Sequence, residues 1–323
     1  MNKSRITAIG SYVPKKILTN HDLEKMVETS DEWITKRTGI KERRISDENE
    51  YSSDLAIKAV KNLLENNPVG IDDVDMIIVT TYTPDHIVPS VASMVQGYFN
   101  IKNAGTFDLS SGCTGFVYAL IVANSLFSLN HVNKVLVISS EVASKTIDYT
   151  DRNTCVLFGD GASAVLVERD ENKNGFIACN YNTDGSFGKL VYCSNLSDTI
   201  NGEPLKKIRH VEQDGRNLYE YVVKTIPGEI LKTLERANFG FQDIDWFVPH
   251  SANLRMIQAI CNRLGWPMEK TLTSVEKYGN TSSNSIPLAI WSAIQNKLLK
   301  RGDKLLLYGF GAGLTHAGLI IEW

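Results

Sequence analysis

The sequence predicts a layered α/β protein built from two copies of one supersecondary unit, and three observations carry that expectation. Shifting the chain by 170 residues lays three separate elements of the first half over the second. Apolar runs such as Met76 to Val79 and Val135 to Ile138 lack alternation, so they read as central strands covered by helices on both faces. Helical patterns stand between these runs, as expected when two such sheets are layered with helices.

Taken in order, each half reads helix, strand, loop, strand–turn–helix, strand and hairpin strand. Asp73-Val-Asp75 with the strand Met76 to Val79 matches Asp243-Ile-Asp245 with Trp246 to Pro249. The helical run after Cys113, with Phe116, Ala119, Leu120 and Ala123, matches Ile286, Ala289, Ile290 and Ala293. Lys134-Val-Leu-Val-Ile138 matches Lys304-Leu-Leu-Leu-Tyr308. One offset shared by three elements marks a duplicated unit. Beyond Ile138 the offset falls from 170 to 154, pairing Gly161 to Glu168 with Thr315 to Glu322. The first half therefore carries 16 extra residues within roughly 139–160, a candidate binding loop because α/β connections are normally short. The halves are expected at 1–172 and 173–323.

The chain has 323 residues, 43% of them hydrophobic, enough for two domains or one fused pair with a large core. A net charge of −3 argues against a nucleic-acid surface or a polybasic membrane anchor. The first residues run straight into a strand without a secretory leader, and no apolar run is long enough to span a bilayer. Five cysteines, odd in number and never spaced as CxxC, point to a reduced cytoplasm without disulfides or a zinc site.

Cys113 carries the chemistry. It lies in Asp108-Leu-Ser-Ser-Gly-Cys-Thr-Gly-Phe116, a small-residue turn between the strand Gly105 to Leu109 and the helical run Phe116 to Leu129. A thiol at the first turn of a helix faces free N–H groups, which favours the nucleophilic thiolate. A buried structural cysteine is the plain alternative. In the 170-residue register Thr80 answers to His250, Ser110 to Asn280 and Cys113 to Ser283. Cys113, His250 and Asn280 thus fall just past the ends of matching strands, where one cleft collects them. The other histidines, His21, His86, His131, His210 and His316, read as local packing or capping. Gly309-Phe-Gly-Ala-Gly313 is followed by a strand rather than a helix, so it is not a dinucleotide loop. A glycine turn there is suited to presenting backbone N–H to an oxyanion. Trp33 and Arg37 are i, i+4 neighbours able to offer a ring beside a cation to a nucleotide. The remaining basic residues, including Lys145, Lys206, Lys207 and Arg209, read mostly as solvated faces.

These residues occur within a longer series: Glu28-Thr-Ser-Asp-Glu-Trp-Ile34, Arg37-Thr-Gly-Ile40, Cys113 with Gly115-Phe116, Asp151-Arg152, Phe158-Gly-Asp-Gly161, His250 with Ala252-Asn-Leu-Arg255, Tyr278-Gly-Asn-Thr-Ser282 and Gly309-Phe-Gly311. In that order and spacing the chain resembles, end to end, 3-oxoacyl-(acyl carrier protein) synthase III of the thiolase-like superfamily. The resemblance implies a thiolase-like five-layered αβαβα fold, a homodimer and a catalytic Cys113, His250 and Asn280. It also implies decarboxylative Claisen condensation of an acyl-CoA starter with malonyl-ACP, initiating type II fatty acid synthesis, without metal or other cofactor. By the same matching the oxyanion hole is the backbone N–H of Cys113 and Ala312. Thr29, Trp33, Arg37 and Arg152 are implied to bind CoA, and Arg255 the acyl carrier protein. Val88, Ala143 and Phe158 are implied to line the acyl pocket.

The chain departs from the family pattern at Ser111-Gly112, at Ala312 in a turn that is often all glycine, and at Glu220 where a basic residue is expected. The small side chains of Val88 and Ala143 imply room for branched or longer starters. The alternatives are a related condensing enzyme of specialised metabolism and a Cys-His-Asn hydrolase. A hydrolase of the papain type has a comparable 137-residue Cys-to-His gap, but it has no place for the internal repeat.

Overall fold

The computed structural model describes residues 3–206 and 209–323, so Lys207 lies outside the described residues. Two sheets form its frame. The first has the order Ser4–Tyr12, Gly161–Arg169, Lys134–Glu141, Met76–Thr80, Gly105–Leu109, and the second Trp246–Pro249, Lys304–Gly311, Thr315–Glu322, Phe176–Thr183. Met76–Thr80 runs parallel to both its neighbours, and Trp246–Pro249 parallel to Lys304–Gly311. The hairpin strands close each sheet antiparallel.

Alternate side chains of each central strand enter different apolar layers, because successive side chains point to opposite faces. Val135 and Val137 join Leu305 and Leu307 in a central core with the helices Gly115–Leu126 and Ser285–Gln295. Leu136 and Ile138 turn outward onto the helices Ser52–Asn66 and Val91–Phe99. Leu306 and Tyr308 turn outward onto Gly215–Ala237 and Leu254–Leu264. The result is five layers, helix–sheet–helix–sheet–helix, as expected.

The repeat extends to individual hydrogen bonds. Asp75 Oδ2 accepts from Lys134 N–H at 3.0 Å, and Asp245 Oδ2 accepts from Lys304 N–H at 2.8 Å. Two details differ from the sequence reading. The helix after Cys113 ends at Leu126, three residues early, and Cys113 itself sits in a preceding 3₁₀ turn, Gly112–Thr114. The counterpart of Gly105–Leu109 is reduced to a single bridge between Phe247 and Thr271.

The extra segment at 139–160 packs on the hairpin of Lys16–Thr19 and Glu42–Ile45. Arg43, fully buried, donates to the carbonyls of Leu18 and Val156 and ties the two together.

Candidate active site

The segments past Thr80, Leu109 and Pro249, with the extra segment, surround one cavity of about 1610 Å³. Cys113, His250 and Asn280 all line it. His250 and Asn280 are buried at its inner end, whereas Arg37 and Arg152 are exposed at its rim.

The 3₁₀ turn puts Cys113 against the last strand residue of the other half. A Cβ on Gly311 would lie 2.8 Å from Cys113 Cβ and 3.2 Å from its Sγ, so only glycine leaves the thiol its place. Sγ lies 3.7 Å from Ser282 Oγ. Enclosure by protein pushes the thiol up to about 12, and the buried Glu141 carboxylate adds to the rise. Desolvation therefore opposes the thiolate expected at the helix terminus, and the helix itself starts only at Gly115.

His250 follows the strand Trp246–Pro249, with its N–H bonded to the Tyr308 carbonyl at 2.8 Å. Its Nδ1 is 2.7 Å from Ser285 Oγ, and that same oxygen accepts the Ser251 N–H at 3.2 Å. With the Ser251 N–H already on Ser285 Oγ, the hydroxyl is assigned as donor to Nδ1, the tautomer that carries its proton on Nε2. Burial holds His250 down to about 3, so the ring is neutral at pH 7. Nε2–H is left facing the cavity as a donor.

Asn280 is oriented by a parallel argument. Its Oδ1 accepts the Ser282 N–H at 2.8 Å, and since an N–H must meet an oxygen, Nδ2 points the other way. The extra segment holds it: Gly159 N–H donates to the Asn280 carbonyl at 3.1 Å, and Asn280 N–H donates to the Leu157 carbonyl at 2.8 Å. Those residues thus position a side chain of the opposite half.

At the rim, Trp33 and Arg37 lie on the helix Asp31–Thr38, capped by Ser30. The Arg37 and Arg152 guanidiniums stand 5.1 and 5.0 Å from the Trp33 ring centre, and Arg152 also donates to the Glu28 carbonyl. Thr29 does not line the cavity, although its Oγ is buried without a hydrogen-bond partner. Arg255 is exposed at the first turn of Leu254–Leu264 and lines the rim, as does Glu220, which accepts from Arg216 at 3.3 Å. Ala312 and Phe158 line the cavity. Val88 and Ala143 do not. Val88 is 80% exposed on the loop before Pro89, and Ala143 is sealed in the apolar cluster that includes Phe158. His86, read from sequence as local packing, is exposed at the rim.

Sequence reasoning missed Ser282, Ser285 and Glu141. The one signal for the two serines was the hydroxyl-rich stretch Thr281-Ser-Ser-Asn-Ser285, which reads as a turn, and Glu141 gave none. Among the described residues, no group of three or more His, Cys, Asp or Glu side chains stands ready to hold a metal ion, and no helix is long and apolar enough to cross a membrane.

A duplicated α/β chain with a thiol, an imidazole and a carboxamide facing one cavity defines a thiolase-like enzyme. Family models described as 3-oxoacyl-[acyl-carrier-protein] synthase III and its C-terminal part match residues 107–185 and 234–323. The chain is 56% identical over 322 residues to beta-ketoacyl-[acyl-carrier-protein] synthase III 2 of Bacillus cereus, covering 100% of this chain and 98% of that one. The solved structure of the Thermus thermophilus synthase III superposes with a TM-score of 0.95 at 42% identity, covering 99% of each chain. A priming beta-ketosynthase of the R1128 polyketide pathway superposes at 0.92 with 32% identity, over 99% of this chain and 96% of that one. The chain therefore belongs to the 3-oxoacyl-(acyl carrier protein) synthase III family, acyltransferases that condense an acyl-CoA starter with malonyl-ACP at the first step of fatty acid synthesis.

Proposed function

We propose that Cys113 is the acylated nucleophile and that His250 and Asn280 stabilise the enolate of the malonyl unit. Cys113 takes the acyl group from acyl-CoA, and CoA leaves. The malonyl thioester then enters and loses carbon dioxide, and its carbanion attacks the acyl carbon. The observation that carries this reading is a pair of oriented donors: Ser282 N–H turns Nδ2–H of Asn280 away from itself, and Ser285 on Nδ1 of His250 leaves Nε2 free to donate. Two preorganised donors on one thioester oxygen lower the barrier as its negative charge develops, by about 3 kcal/mol for each. The backbone N–H groups of Cys113 and Ala312 are proposed as the oxyanion hole for the acyl-transfer steps. Gly311, pressed against Cys113, supports their proximity.

The Trp33 ring with Arg37 and Arg152 is proposed to hold the CoA nucleotide, with Thr29 nearby and Arg255 meeting the carrier protein. The halves 1–172 and 173–323 are proposed as the two structural units, supported by the separation of the sheets between residues 169 and 176. A homodimer in the cytoplasm completes the reading. Ile87 and Val88, adjacent apolar residues 70% and 80% exposed, support an interface, and sedimentation equilibrium tests it. Branched or longer starters are proposed from the small residues at 88 and 143, although neither side chain lines this cavity. Initial rates with isobutyryl-CoA and isovaleryl-CoA against acetyl-CoA decide this, and strong acetyl preference ends it.

Incubation with radiolabelled acyl-CoA and then malonyl-ACP tests the whole scheme. The expected product is a 3-oxoacyl thioester two carbons longer than the starter, and free acid alone would mark a hydrolase instead.

A further inference from the structure

Glu141 is a buried acid that the scheme above leaves unused. It is the last residue of the strand Lys134–Glu141 and is completely inaccessible to solvent. Carboxylates are rarely buried without a cationic partner, and Glu141 makes no ion pair among the described residues. Its oxygens are instead met by hydroxyls and one amide from both halves. Oε2 accepts from Thr81 Oγ1, the Tyr82 N–H and Thr83 Oγ1 at 3.2, 3.1 and 3.0 Å, and Oε1 accepts from Ser283 Oγ at 2.6 Å.

The Ser282 hydroxyl, next along the chain from Ser283, also lowers this carboxylate as a donor, less closely than these four. The same hydroxyl stands 3.7 Å from the Cys113 sulfur. Ser282 reaches that position through a left-handed backbone, φ 51°, unusual for a serine and fixed by the Asn280 side chain on its N–H. A strained residue thus connects the nucleophile to a buried acid.

We propose that Glu141 acts through Ser282 as acceptor of the Cys113 thiol proton during acyl transfer. In the forward step the S–H bond of Cys113 breaks and its proton passes to Ser282 Oγ, while the Ser282 O–H proton passes to Glu141. The freed sulfur pair forms the bond to the acyl carbon, and the carbon–sulfur bond to CoA breaks. The CoA thiolate takes the proton back through Ser282, leaving Glu141 ionised for the next turnover. No other reactant enters. The role is a positioning one, since Glu141 touches the reacting sulfur only through Ser282. It complements the neutral His250, whose proton already sits on Nε2 as a donor.

Burial pushes Glu141 up to about 7 against the lowering by its hydrogen bonds, so it exchanges a proton in the working range. The titratable groups facing it are Tyr82 and Cys113, both raised and both neutral at that pH.

This inference rests on Cys113 being the acylated thiol, and the experiment keeps the two apart. Single-turnover acylation by acetyl-CoA is followed between pH 5.5 and 8.5 by peptide mass spectrometry, which separates Cys113 from Cys193 in the same cavity. The wild-type rate is expected to rise through an inflection near pH 7. Glu141→Gln and Ser282→Ala are expected to lose the inflection and to acylate at least about tenfold more slowly at pH 8. Glu141→Asp is expected to restore it. Ser282→Ala keeps the carboxylate and its other four donors, so it decides the matter if Glu141→Gln does not fold. An inflection that persists in Ser282→Ala, or is missing from the wild type, overturns the role of Glu141 alone. A wild-type Cys113 that takes no acetyl group overturns the nucleophile itself.

Discussion

Replacing Gly311 by alanine tests whether the close approach of the two halves shapes the nucleophile. The added Cβ would lie 2.8 Å from Cys113 Cβ and 3.2 Å from Sγ, where carbon atoms normally stay about 3.5–4.0 Å apart. Gly311 is not among the residues of positive φ, so the burden is this contact rather than backbone strain. Gly311 is held by its pairing with Thr315 at the end of a strand that is paired on both edges over Leu305–Tyr308, so the 3₁₀ turn carrying the thiol is expected to yield. Overpacking of this size costs about 1–3 kcal/mol of stability. A shift of roughly 1 Å at the sulfur slows acylation about 100-fold. The assay pairs the urea midpoint with the rate of Cys113 acylation. Gly70→Ala, where the new Cβ meets no atom within 4 Å, is the control and is expected to change neither. Wild-type acylation and an unchanged midpoint in Gly311→Ala would refute the contact as described.

Cys113→Ser is expected to abolish acyl transfer from acyl-CoA, measured as loss of the acylated peptide. His250→Ala and Asn280→Ala are each expected to slow malonyl-thioester decarboxylation about 100-fold or more while self-acylation persists, measured by release of labelled carbon dioxide. Normal decarboxylation in either variant removes that residue from the enolate site. Arg152→Ala, which deletes a guanidinium 5.0 Å from the Trp33 ring, is expected to raise KM for acyl-CoA about fivefold with kcat little changed. Stability should also respond to pH through two buried groups of opposite sign. His250 is held down to about 3, so between roughly pH 4.5 and 6.5 the unfolded chain binds a proton the folded one refuses, and stability climbs with pH. Glu141 is pushed up to about 7, so over the same window the folded chain holds a proton the unfolded one has lost, and stability falls with pH. Urea midpoints of Glu141→Gln are therefore expected to rise more steeply across that window than those of the wild type. Equal slopes would contradict the assignment.

The duplication was legible because it rests on spacing alone. The strands Lys134–Glu141 and Lys304–Gly311 begin and end at the offset of 170, and Gly161–Arg169 and Thr315–Glu322 begin at the offset of 154. Cys113, His250 and Asn280 were legible because strand ends in register must meet across the layers. The groups that aim them were not. Ser285 fixes the imidazole through one oxygen shared with Ser251, a contact that no linear pattern encodes. Glu141 ends an apolar strand, where a carboxylate ordinarily reaches solvent, and only the meeting of both halves over it explains its burial. The desolvation of the thiol was not legible for a related reason: a helix terminus can be read from sequence, whereas enclosure of the sulfur depends on the opposite half.

The two copies of the unit have diverged most tellingly at one matched position. In the 170-residue register Glu141 corresponds to Gly311, each ending the strand that faces a strand–turn–helix elbow. At one elbow glycine leaves the space in which Cys113 opens onto the cavity. At the other, the residue matching Cys113 is Ser283, and there the glutamate fills the space, accepting a hydrogen bond from the serine hydroxyl at 2.6 Å while Ser139 donates to the same hydroxyl at 2.8 Å. Ser283 is completely buried and does not line the cavity. Glycine at one and glutamate at the other leave a single open site, and they bring the filling carboxylate within one hydroxyl of the thiol that remains exposed to substrate. The asymmetry that closes one elbow thereby supplies the other with its proton acceptor.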